Sequence, residues 1–285
     1  MTRFEINMYE LRCQIELIRE EHPGCGLENI YYQLNPEGIG RDRFVTYFME
    51  RGYGIKVRKN YHKTTIPTHL RYPNLIEGLL VYQINIVWQS DITYYRVGDV
   101  FYYIVFIVDV YSRRILAYQV SDHLRAEANI RALKIALQIR NTDLSNLIHH
   151  SDRGSQYVDK EYLQILNDEN ILISMGLRGQ ENAYAERVNG IIKNEYLNYW
   201  EIQSFDMLKE KVKKAVNHYN HNRPHRSLPG RSTPIAFEKQ LKLGNKNTAY
   251  NEWIFSEKLN INQKDYTFEN TGFPEKYLVC PLIDG

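Results

Sequence analysis

Between residues 86 and 121 the chain runs 86-IVWQSDITYY-95, 100-VFYYIVFIVDVY-111 and 113-RRILAYQVS-121, three stretches rich in β-branched and aromatic residues with only a few turn residues between them. Connections that short join neighbouring strands antiparallel, because a parallel return needs a long crossover. The three stretches therefore predict a meander. Beyond them, Ala126, Ile130, Leu133 and Leu137 recur at helical intervals within 125–140, and 147-LIHHSD-152 reads as a fourth strand. A helix over 159–169, a fifth strand over 171–175 and a helix over 183–199 complete the series. The order βββ-α-β-α-β-α predicts an α/β domain, a mixed five-stranded sheet flanked by helices.

The N-terminal part reads differently. Leu11, Ile15 and Ile18 share one face of a helix over 8–21 that stops before His22-Pro23-Gly24. Short helices over 27–34 and 41–51 follow, the last with Val45, Phe48 and Met49 turned inward. Such a unit is an all-α helix-turn-helix or, on periodicity alone, a plain helical bundle. As a helix-turn-helix it would offer Arg41 and Arg43 to the major groove, with Lys56, Arg58 and Lys59 of 56-KVRKNYHK-63 on phosphates. The expected organisation is a helix-turn-helix unit over 1–60, a linker over 61–83, an α/β core over 84–240 and a polar, irregular tail over 241–285 to which no elements are assigned.

Composition narrows the function classes. A content of 43% hydrophobic and 25% charged residues suits a folded protein and not a disordered one. No apolar run reaches the roughly 18 residues of a membrane span, and the first helix carries Glu5, Glu10, Glu16 and Glu20 where a signal peptide has its apolar core. Cys13, Cys25 and Cys280 form no C-x-x-C pair, which fits a reducing compartment. The expected location is intracellular. The net charge of +2 conceals blocks: −4 over 1–40, +6 over 41–71, −4 over 72–186, +5 over 187–231 and −1 over 232–285. One basic block is ordinarily a solvated face; two of them around an acidic middle point to a polyanion partner.

Two acids stand out in that middle. Asp91 lies inside the first strand of the meander among apolar neighbours, where an uncompensated carboxylate costs several kcal/mol or more. Asp152 ends the fourth strand, just before the break at Gly154. If the first and fourth strands are neighbours, the two carboxylates converge on a cation, and hard ions such as Mg²⁺ take oxygen ligands of this kind. A third carboxylate comes from Glu181, Glu186 or Glu195. Glu181 falls in the loop entering the helix, where it also suits compensation of the helix N-terminus, and Glu195 reads as a solvated face residue. Glu186 is the expected ligand, with Glu181 as the substitute; Lys193, seven residues on, shares the face of Glu186. Asp109, beside Ser112, Arg113 and Arg114, is expected to make a structural salt bridge.

At these residues the chain resembles the OrfB-type transposases of bacterial insertion sequences, within the retroviral-integrase superfamily of DDE recombinases. The resemblance is carried by 88-WQSDITY-94, 149-HHSDRGSQY-157, 182-NAYAERVNGIIKNE-195 and 219-YNHNRPHRSL-228 followed by Thr233-Pro234. Residues 22–34 and 41–56 are also similar to the helix-turn-helix segment that precedes the core in that family. The resemblance implies an RNase H-like fold with Asp91, Asp152 and Glu186 as the catalytic, metal-holding triad. It also implies Mg²⁺ as cofactor, with Mn²⁺ as a substitute and two ions per site, and duplex DNA as partner. Homo-oligomers on paired element ends and an OrfA-like partner or fusion are implied as well. One departure is visible: 33 residues separate Asp152 from Glu186 where the family commonly has 35.

Further DNA contacts are expected from Arg153, Ser155 and Gln156 around Asp152, from Arg187 and Lys193 on the Glu186 helix, and from Arg223, His225 and Arg226 in a cationic turn. Tyr219 and Pro224 are expected to be structural. The lysine-rich helix over 207–219 is either solvated or DNA-facing. The 23 tyrosines are explained by packing in strands and beside prolines, with no supporting Arg and His cluster for a tyrosine nucleophile. Two other functions fit parts of this pattern: a non-catalytic DNA-binding scaffold, which has no reason to keep three carboxylates, and an RNase H-like nuclease, which has no need of a terminal helix-turn-helix.

Overall fold

The computed structural model describes residues 3–55, 72–140, 144, 146–176, 179–244 and 249–254. Its centre is a five-stranded sheet built from β2 (Val87–Val97), β3 (Val100–Asp109), β4 (Ile115–Ser121), β5 (Ile148–Ser151) and β6 (Leu172–Met175), in the order β4-β3-β2-β5-β6. The first three form the expected antiparallel meander, and β5 and β6 add in parallel on the β2 side. The sheet is therefore mixed, as the element order predicted.

Strand β3 shows how one sequence supplies two cores. Its side chains alternate across the sheet, so Val105 and Ile107 join Trp88, Leu133, Tyr162 and Leu166 beneath α4 (Ala126–Arg140) and α5 (Lys160–Asp168). Ile104, Phe106 and Val108 join Val188, Leu208, Val212 and Tyr219 beneath α6 (Ala183–Ile191) and α7 (Phe205–His221). A strand covered on both faces reads as a continuous apolar run, which explains YYIVFIV.

Helix boundaries follow local chemistry. Asp159 caps α5 by accepting from Glu161 and Tyr162 N–H, Ser204 caps α7, and Thr233 with Pro234 at the first position starts α8 (Pro234–Lys242). The predicted helix over 183–199 is α-helical only to Ile191; a π-helical turn, Ile192–Tyr196, and a short 3₁₀ turn, Leu197–Tyr199, follow. Asp109 is buried as expected, accepting from Asn85 and Ser112 N–H at 2.8 Å each and lying 3.4 Å from Arg140, which in turn pairs with Glu238.

The N-terminal helices are α1 (Arg3–Glu21), α2 (Leu27–Leu34) and α3 (Arg41–Glu50), packed around Leu11, Ile15, Ile30, Phe44 and Phe48. Met49, expected inward, is 54% exposed; Phe44 takes its place because it lies one turn before Phe48 on the same face. Ile76, Leu79 and Val81, in the segment expected as linker, are buried. There β1 (Leu80–Val81) pairs with β7 (Glu252–Trp253) of the tail. Lys56, Arg58 and Lys59 lie outside the described residues. Among the described residues no helix is long and apolar enough to cross a membrane.

Candidate active site

Parallel pairing of β2 with β5 sets Ser90 opposite Ser151, the last partners in that register. Asp91 and Asp152 are the next residues on each chain, so the two carboxylates stand side by side where β5 ends. Asp91 remains within β2, while Asp152 has left β5 and turns back to accept from Gly154 N–H at 3.0 Å. A Cβ on Gly154 would stand 3.1 Å from that same carboxylate oxygen, so the loop closes around Asp152 tightly.

Glu186 comes from the first turn of α6, and that helix is anchored to β2 by a side chain the sequence reading overlooked. Asn182, at the helix start, makes no cap bond of its own; instead Gln89 Oε1 accepts from Tyr184 and Ala185 N–H at 3.0 and 3.2 Å. Gln89 Nε2 donates to the Glu181 carbonyl at 3.2 Å, and Asn182 Nδ2 donates to the Ser90 carbonyl at 2.9 Å. Gln89 is fully buried and two residues before Asp91, on the same face of the strand. A glutamine inside a buried strand needs partners; that was the signal available in WQSD.

One turn after Glu186, Asn189 Nδ2 donates to Asp91 Oδ2 at 2.7 Å. Burial pushes the Asp91 carboxyl up to about 8, and the neighbouring charges of Asp152 and Glu186 add to the rise. Glu186 is itself raised by partial burial and by Asp152. The structure thus brings all three predicted carboxylates into one electrostatic site. The Glu181 side chain packs at Gly176, where an added Cβ would be 3.1 Å from Glu181 Cβ and 3.2 Å from His150 Nε2. Lys193 is partly buried, 5.5 Å from the Tyr94 ring centre. Burial lowers its ammonium and the Asp91 charge opposes that shift.

Among the described residues no three His, Cys, Asp or Glu side chains close on one point as a ready ligand set. The donor chemistry nonetheless fits a hard cation, since the groups coupled there, Asp91, Asp152 and Glu186, are all carboxylates. Such ions take few protein ligands and keep waters.

Several expected DNA contacts sit elsewhere. Gln156 is turned inward and donates to the Leu124 carbonyl at 3.2 Å. Arg223 is buried in a two-pronged pair with Glu195, Nε to Oε2 at 2.8 Å and Nη2 to Oε1 at 2.7 Å. Glu195, read as solvated, also takes a 2.6 Å bond from His22; its carboxyl is held down at about 2 by Arg223 and His22 against the effect of burial. His225 is buried against Tyr219. Arg41, Arg43, Ser155, Arg187 and Arg226 are exposed, and Arg153 is partly so.

Two family models and several relatives match the sequence of these elements. The integrase core domain family matches residues 82–180, and a second integrase core domain profile matches 169–234. The chain is 30% identical over 223 residues, 75% of its length and 81% of the relative's, to the insertion element IS600 uncharacterized 31 kDa protein of Shigella sonnei. It is 29% identical to the transposase for insertion sequence element IS629 of Shigella sonnei, over 66% of this chain and 65% of that one. Among solved structures, the HTLV-2 integrase catalytic core domain in complex with magnesium is similar over 53% of this chain and 94% of that one, at 22% identity and a TM-score of 0.43. The chain belongs to the integrase-core family of insertion-sequence transposases.

Proposed function

We propose that the chain binds duplex DNA at the ends of an insertion sequence, cuts one strand there and joins the freed end to a second site. The observation that carries this reading is the placement of Asp91 and Asp152 directly after Ser90 and Ser151, the last register pair of the parallel strands, with Glu186 on a helix anchored to β2 by Gln89. Cutting forms a bond from water oxygen to phosphorus and breaks the bond to the 3′ oxygen, leaving a 3′-OH and a 5′-phosphate. Joining forms a bond from that 3′ oxygen to a target phosphorus and expels the target's own 3′ oxygen. No covalent protein–DNA intermediate is needed.

Asp91, Asp152 and Glu186 would hold Mg²⁺ or Mn²⁺, two ions per site. When bound, such ions supply Lewis-acid activation of the attacking oxygen and charge stabilisation of the leaving one. The protein contributes orientation. Asn189 fixes one oxygen of Asp91, Gln89 and Asn182 fix the height of α6 above β2, and Lys193 brings a cation beside Asp91. Arg41, Arg43, Arg153, Arg187, Lys193 and Arg226 contact phosphates or bases. Assembly of copies on paired ends, with or without an OrfA-like partner, completes the proposal.

The test separates binding from cutting. Asp152→Asn and Glu186→Gln are expected to retain duplex affinity in a filter-binding assay, because losing a carboxylate reduces repulsion toward phosphate, while strand cutting with Mg²⁺ disappears. Cutting at the wild-type rate by either variant contradicts the assignment.

A further inference from the structure

The N-terminal unit is latched to the core at a buried point. His22 bonds Glu195 and stacks on Tyr196 with ring centres 4.4 Å apart, and Gly24 N–H donates to the Glu195 carbonyl at 2.8 Å. A Cβ on Gly24 would fall 2.5 Å from Glu195 Cα, so only glycine allows that approach. Arg223 closes the latch from the other side.

Each latch segment continues into charged residues that meet. Four residues after Gly24, Glu28 accepts from Arg231 Nη2 at 2.7 Å and lies 3.9 Å from Arg41 Nη1. Three residues after Arg223, Arg226 is exposed, and its charge helps Arg231 and Arg41 hold Glu28 ionised. Arg231 lies 3.5 Å from the centre of the Tyr32 ring, which fixes its guanidinium plane. Arg41 also pairs with Asp42, whose side chain is 86% exposed. Arg41 and Arg231 thus share Glu28, Arg41 also holds the solvated Asp42, and Arg226 adds a third guanidinium charge that acts on Glu28, an excess of cation at a junction drawn from two units.

We infer that Arg41 from the N-terminal unit and Arg226 and Arg231 from the core form one composite clamp for DNA backbone phosphates, assembled by the Gly24–Glu195 latch. The inference rests on the DNA-processing reading above. Guanidinium forks match phosphate oxygens, and a phosphate arriving here takes over the role that Glu28 and Asp42 share. The consequence is a fixed register: a phosphate held at Arg41 of the N-terminal unit stands at a set distance from Glu186 of the core, because the latch grips the same helical segment nine residues beyond it.

The test is the salt dependence of affinity for a short labelled duplex of arbitrary sequence. Each lost phosphate contact lowers the slope of log K against log salt by about 0.9. Arg226→Gln with Arg231→Gln is expected to lower it by roughly twice that. Gly24→Ala, which removes no charge, is expected to lower it too, with faster exchange of the residue-24 amide, while Gly26→Ala, with nothing within 4 Å of its added Cβ, keeps the wild-type slope. Should Gly24→Ala not fold, His22→Phe, which keeps a ring on Tyr196 and removes the bond to Glu195, serves instead. A wild-type slope in the double arginine variant overturns the clamp. A wild-type slope in an undocked latch variant overturns its composite nature. Wild-type protein that binds no duplex at all overturns the function reading, and the clamp with it.

Discussion

Asp91 and Asp152 stand next to each other because each follows one member of the last parallel register pair, Ser90 and Ser151, at the point where β5 ends and β2 continues, paired with β3 alone. A one-residue slip in that pairing would send the two carboxylates to opposite faces of the sheet. The site is therefore fixed by backbone register first and by side chains second.

Asn189 is the side chain that orients Asp91. Asn189→Ala is expected to slow strand cutting roughly 10–100-fold, the usual effect of removing a partner that orients a metal ligand, with duplex affinity unchanged. Single-turnover cutting of a labelled duplex measures it; an unchanged rate removes Asn189 from the mechanism.

Gln89 holds the start of α6. Gln89→Leu strands the Tyr184 and Ala185 amides and the Glu181 carbonyl inside the protein, at a cost of about 2–4 kcal/mol. A urea denaturation midpoint close to that of the wild type would show that water replaces Gln89 and that the anchor is dispensable.

Glu195 and Arg223 form a largely buried pair, so removing one partner leaves the other charge uncompensated. Glu195→Leu is expected to destabilise by roughly 3–5 kcal/mol, and adding Arg223→Leu to restore part of the loss. A double variant less stable than Glu195→Leu alone contradicts this account.

His149 and His150 lie within β5, and burial pushes their imidazoles down to about 4 and about 3 from an ordinary 6.5. The unfolded chain takes up these protons first. Their stabilising contribution is therefore complete above about 6.5 and is lost as pH falls toward 4 and then 3, at about 1.4 kcal/mol per pH unit for each histidine. Urea midpoints at about pH 7 and about pH 5 should differ, with the lower at pH 5; equal midpoints contradict burial of these rings in the neutral form.

The meander was legible because short connections and β-rich runs are local properties of sequence, and Asp91 stood out as an acid inside an apolar run, whereas the β2–β5 adjacency entered only as a condition because pairing between strands distant in sequence leaves no local signal. Glu195, Arg223 and Gln156 were misread for a common reason. Periodicity reports which face a residue occupies, whereas their burial depends on distant partners: His22 lies 173 positions from Glu195. The π-helical turn over Ile192–Tyr196 also shifts the phase of the helix, so Glu195 leaves the face that α-helical spacing assigns to it. The pairing of β1 with β7 could not be read at all, since two-residue strands carry no period.

The most direct measurement is nicking and joining of supercoiled plasmid by purified protein with Mn²⁺, which requires no knowledge of the cognate ends. Wild type is compared with Asp91→Asn, Asp152→Asn, Glu186→Gln and Glu181→Gln. The account predicts loss of activity in the first three variants and retention in Glu181→Gln. Activity that survives Glu186→Gln and disappears with Glu181→Gln would contradict it and move the third carboxylate to the loop before α6.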